Sequence, residues 1–82
     1  MADVREARVE RAFVARCAAL GLPAIKSAWP ARRGCPDRIV LLPEGRVLWV
    51  ELKAAGGRLS AAQAAAHEFL RSKGHRVDVV TG

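Results

Sequence analysis

Two apolar runs on either side of a three-residue link limit what this chain can become more than any other feature. Residues 37–42 read DRIVLL, residues 46–53 read RVLWVELK, and Pro43-Glu44-Gly45 lies between them. Both runs are apolar at odd and even positions, so each reads as a strand covered on both faces. The link is too short for a crossover. The pair therefore predicts an antiparallel hairpin inside a sheet, closed by a tight turn.

Charge falls where such a hairpin tolerates it least. Side chains alternate along a strand, so Glu51 and Lys53 share a face and Leu52 points to the other. Counting outward from the turn, Leu42 lies near Arg46 and Asp37 near the level of Glu51. Desolvated charge is costly unless it is paired or bound to a metal. Lys53 can answer one carboxylate, but Asp37 and Glu51 repel each other unless a cation sits between them. Two acids and an ammonium at one end of a hairpin suit a hard divalent cation acting on a phosphodiester.

The flanks complete an α-β-β-β-α-β order within one domain spanning residues 1–82. Residues 3–20 predict an amphipathic helix, with Val9, Phe13 and Leu20 on one side, Asp3 as its cap and Gly21-Leu22-Pro23 as its stop. Residues 24–28 predict a short strand and 30–36 a loop. Residues 60–73 predict a second helix opened by Ser60 and Gln63 in capping-box spacing, and 76–80 a last strand. Trp49 is expected in the core and Trp29 half-buried or at an interface. His67 and His75 read as structural or exposed.

Composition narrows the partners. Fourteen Lys and Arg against eight acids give a formal net charge of +6, which favours a polyanion. The two cysteines fit neither a disulfide framework nor zinc spacing, and no run is long enough to span a membrane. A reducing cytoplasm follows as an expectation, which the family resemblance below narrows to that of a bacterial or phage-infected cell. In a chain of 82 residues with 5% aromatics the core is small, and self-association would add to its stability.

The ordered set Arg33-Gly34-Cys35-Pro36-Asp37-Arg38-Ile39-Val40, Trp49-Val50-Glu51-Leu52-Lys53, and Gly57-Arg58-Leu59-Ser60 with Gln63 resembles the VRR-NUC group of the PD-(D/E)XK nuclease superfamily. The likeness continues to Val80. It implies a restriction-endonuclease-like α/β fold, a mixed central sheet flanked by helices. It implies Mg²⁺ or Mn²⁺ held by Asp37, Glu51 and the backbone carbonyl of Leu52, with Lys53 positioning the attacking water. Such nucleases add a Glu from the first helix. Glu6 and Glu10 both qualify, one turn apart, and Glu10 is favoured because its setting in the helix is similar to that in the archaeal junction resolvases. Gln63 is expected beside the site, and Lys26, Arg32, Arg33, Arg38 and Arg58 around it as phosphate contacts. The implied activity is cleavage of branched DNA, four-way junctions above all, by a homodimer. Alternatives are a less selective flap, nick or duplex nuclease, or a non-catalytic DNA-binding subunit of the same fold.

Overall fold

The hairpin forms as its apolar pattern dictates and becomes the centre of a four-stranded sheet. In the computed structural model, which describes residues 4–82, the chain runs α1 (Val4–Ala19), β1 (Ala24–Lys26), β2 (Arg38–Leu41), β3 (Val47–Lys53), α2 (Ala61–Ser72) and β4 (Arg76–Thr81). The sheet order is β1-β2-β3-β4. The first two pairings are antiparallel and β3–β4 is parallel, with α2 as the crossover that a parallel pair requires. A mixed sheet between two helices is the expected fold class. The capping role expected of Asp3 lies outside the described residues.

The register is the one counted from the turn. Arg38 pairs with Val50 and Leu41 with Val47, and Leu42 N–H donates to Arg46 carbonyl oxygen at 2.9 Å. Extending that ladder puts Asp37 opposite Glu51. Pro43–Gly45 makes a single 3₁₀ turn, with Glu44 (φ 67°) and Gly45 (φ 74°) both left-handed. β1 ends at Lys26, two residues before the expected Ala28, although Ser27 N–H still donates to Asp37 carbonyl oxygen at 3.0 Å.

Strand parity divides the core between two helices. Val40, Val50 and Leu52 are buried with Cys17 of α1, and Val9, Phe13, Leu22, Leu48 and Val80 pack on them. Val9, Phe13 and Cys17 recur one turn apart, which gives α1 its apolar stripe. On the opposite face α2 buries Ala66, His67 and Leu70. Both cysteines are free thiols. Among the described residues no helix is long and apolar enough to cross a membrane.

Candidate active site

Three elements deliver one carboxylate each to the end of β3 farthest from the turn. Asp37 comes from the residue before β2, Glu51 from β3, and Glu6 from the first turn of α1. One oxygen of each lies within 4.8 Å of the others. Glu51 is wholly buried, and the Lys53 ammonium stands 3.9 Å from Glu6 Oε1. Hard oxygen donors this close, one of them desolvated, fit a small divalent cation such as Mg²⁺ or Mn²⁺.

Pro36 adds to that donor set through what it lacks. The even residues of β2 bond to β3, as Leu42 does with Arg46, so position 36 faces Leu52. Leu52 N–H turns to Asp37 Oδ2 instead, at 2.8 Å, which fixes the carboxylate. The Leu52 carbonyl leaves the strand on the same side as its N–H and meets a residue with no N–H to give. It is thereby free of a cross-strand donor at the level of the carboxylates. The Pro-Asp dipeptide thus opens one oxygen and aims another.

Glu51 is clamped from behind by α2. Gln63 Nε2 donates to Glu51 Oε2 at 3.1 Å, and His67 Nε2 lies 3.2 Å from Oε1. Gln63 keeps its capping role at the same time. Its backbone N–H donates to Ser60 Oγ at 3.1 Å and its Oε1 accepts from Ser60 N–H at 2.9 Å. The helix start therefore fixes the rotamer of a side chain that orients a buried carboxylate.

Burial, then the neighbouring Asp37, push the Glu51 carboxyl up to about 8, with Lys53 opposing. The same burial and repulsion favour the protonated carboxyl of Glu51 below about pH 8. Burial, with Arg71 and Lys53 nearby, lowers the pKa of His67. We assign a neutral ring donating from Nε2 to Glu51, because the buried Nδ1 has no partner and an unmet acceptor costs less there than an unmet N–H.

Several expectations change. Glu6, not Glu10, joins Asp37 and Glu51. Glu10 Oε2 accepts from Arg38 Nε at 2.9 Å, one turn further along α1. Arg38 was expected among the phosphate contacts, but it faces α1 by strand parity and also donates to Ala24 carbonyl oxygen at 3.1 Å. Its guanidinium is paired with Glu10 and remains partly exposed. Lys26 is exposed and lines a cavity of about 260 Å³ with Glu6, Glu10 and Asp37. Arg33 and Arg58 are exposed in loops, and Arg32 lies over aromatic rings.

His67, read from sequence as structural or exposed, is 1% exposed and bonded to the site. Its signal was its position one helical turn after Gln63, which places both on one face of α2. Trp49 is half-buried, in edge contact with Trp29 at 5.7 Å and His75 at 6.1 Å.

A mixed sheet that gathers three carboxylates beside a lysine is the arrangement of a nuclease domain, and comparison with known proteins gives the family. The VRR-NUC domain profile matches residues 6–82. "Putative nuclease p44" of Acyrthosiphon pisum secondary endosymbiont phage 1 is 39% identical over 77 residues, covering 94% of this chain and 83% of that protein. A solved VRR-NUC domain superposes with a TM-score of 0.84 at 31% identity, over 98% of this chain and 86% of the other. The chain belongs to the VRR-NUC family of nuclease domains.

Proposed function

We propose that this chain is a Mg²⁺- or Mn²⁺-dependent endonuclease that hydrolyses DNA phosphodiesters. The observation that carries this reading is the approach of Glu6, Asp37 and Glu51 to within 4.8 Å of one another beside Lys53. A bound divalent ion would lower the pKa of a water ligand and polarise a phosphoryl oxygen. Glu6, Asp37, Glu51 and the Leu52 carbonyl are the groups to hold it, in keeping with a PD-(D/E)XK site.

The protein's own groups do the rest. Gln63 and His67 keep Glu51 from rotating, and Leu52 N–H does the same for Asp37. Lys53 is 13% exposed at its side chain, so its field is little screened. It orients the attacking water and offsets charge gathering on the phosphate oxygens. The net charge of +6 draws the polyanion in.

Branched DNA, four-way junctions above all, is the proposed substrate, cut by a homodimer. A junction with two-fold symmetry needs two incisions, which a dyad-related pair of sites would supply. Leu20, 69% exposed, lines an apolar groove of about 390 Å³ with Phe13, Leu22, Leu42 and Leu48, far from the carboxylates. Such surface at the opposite pole favours self-association without blocking the site.

The test is Lys53→Ala with Mg²⁺ on junction, flap, nicked and linear DNA. Turnover is expected to fall roughly a thousandfold on every substrate cut by the parent, with binding nearly unchanged. Persistent turnover removes the mechanism. Equal cutting of all four DNAs by the parent, or a monomer in sedimentation with and without DNA, removes the junction and dimer assignment but keeps the nuclease.

A further inference from the structure

We propose that Arg32, seated on Phe69 and beside Trp29, forms a subsite for an unpaired nucleotide of the DNA, with its base against the guanidinium plane and a neighbouring phosphate on the N–H edge. The inference rests on the nuclease reading above. It adds what part of the substrate this face selects.

Arg32 Cζ lies 3.9 Å from the Phe69 ring centroid and 5.6 Å from that of Trp29. At 3.9 Å the guanidinium is in contact with the ring, which holds it by its π face and leaves its donors unused. Arg32 is exposed, and among the described residues no hydrogen bond or ion pair engages it. Arg8, Arg11, Arg16, Arg33 and Arg58 also lack such partners among the described residues, but no aromatic ring lies under any of them. Arg38 is committed to Glu10, Arg76 to Asp78, Arg71 to the Val77 carbonyl and Arg46 to the Pro43 carbonyl.

The aromatic residues are also unevenly placed. The chain has two Trp, two Phe and no Tyr, and only Phe13 belongs to the α1 core. Phe69 remains 38% exposed with the arginine on it. Trp29 packs edge-on against Trp49 of β3, which ties this side of the loop to the sheet.

The loop is anchored to the active site as well. A Cβ at Gly34 would collide with the Ala62 carbonyl and approach the Gln63 backbone, and Gly34 has φ +87°. Only glycine permits that contact. Gln63 in turn holds Glu51. Arg32 lies two residues from Gly34, on the loop that packs against the helix start holding Glu51, so a nucleotide on its guanidinium would sit on the α2 side of the site.

Base stacking distinguishes single from double strands. In a continuous duplex both faces of each base are covered by its neighbours, so only an unstacked base can lie on an arginine plane. A subsite of this kind favours DNA with an unpaired nucleotide beside the cut, as at a flap or where a base is unstacked at the crossover of a junction.

The test uses the full chain in EDTA, so that DNA is bound but not cut. Probes are an oligothymidylate, a blunt duplex of equal length, and that duplex with a single-stranded overhang. Trp29 and Trp49 are the only indoles, so intrinsic fluorescence reports on this face. Single-stranded and overhanging DNA are expected to quench it and blunt duplex to leave it nearly unchanged. Arg32→Lys keeps the charge but loses the plane. It is expected to weaken binding of the single-stranded and overhanging DNAs roughly tenfold and of blunt duplex less than twofold. Phe69→Leu, a second variant at an exposed site, should do the same.

Equal weakening on all three DNAs, equal quenching by blunt duplex, or no change in either variant overturns the subsite. The Lys53→Ala cleavage assay separates this result from the nuclease reading. Cutting without strand discrimination sinks the subsite alone, whereas selective quenching by a protein that cuts nothing sinks the nuclease alone.

Discussion

The two ends of β3 are built to opposite specifications. Toward the turn, Val47, Leu48 and Trp49 pack among apolar neighbours, and Leu48 rests on the α1 core. At the other end Glu51 is buried with a second carboxylate beside it and a third within 4.8 Å. The first end stabilises the fold by removing apolar surface from water. The second spends part of that stability to keep acidic groups close together. One strand can do both because the pleat and the hydrogen-bond ladder make it rigid, so the stable end positions the unstable one.

The sharpest way to break this comparison is to exchange charge at one end and volume at the other. Glu51→Gln is expected to lower hydrolysis roughly a thousandfold while leaving the metal-free melting temperature at or above the parent value. Leu48→Ala is expected to cost about 2 kcal/mol of stability and to leave the rate per folded molecule within a few-fold. Urea unfolding and initial rates check both. If Glu51→Gln unfolds the protein as Leu48→Ala does, Glu51 belongs to the core and the contrast is false.

A smaller effect separates the two acids of α1. Glu6→Gln should weaken Mn²⁺ binding by roughly ten- to a hundredfold, because it removes a carboxylate from the cluster. Glu10→Gln should leave Mn²⁺ affinity within about twofold and lower stability by about 1 kcal/mol, since it frees half-buried Arg38. Calorimetric titration decides. Equal losses of affinity would place both acids at the ion.

The smallest effect is on pH dependence. The folded state holds a proton on Glu51 with a pKa near 8 rather than the ordinary 4.5. A raised folded pKa contributes stability in full below about pH 4.5, and that contribution is lost as pH rises through about 8. Metal-free protein should therefore melt lower at pH 8.5 than at pH 5. Mg²⁺ should bind better as the proton leaves and so flatten the decline. Melts with no pH slope from this region, with or without Mg²⁺, would show that the carboxylates are not held together under strain.

Much of this was legible along the chain. The hairpin, its register, the shared face of Glu51 and Lys53, and the capping box at Ser60 are local consequences of alternation, turn length and helix-start chemistry. Those rules operate over a few residues, so the sequence alone determines them. The family motifs carry the same information in compressed form, since Pro36, Asp37, Glu51 and Lys53 lie within one hairpin.

Tertiary packing decided what lies between elements. Glu6 and Glu10 are equivalent on the helix, and only the angle and depth at which α1 crosses the sheet set Glu6 over the cluster and Glu10 over Arg38. His67 looked like any buried or exposed histidine until α2 docked with Gln63 and His67 above Glu51. Arg32 and Arg38 are alike as letters, and their fates diverged because one met an aromatic ring and the other a carboxylate. Helix docking depends on the sum of many weak contacts far apart in sequence, and no short stretch of residues encodes that sum.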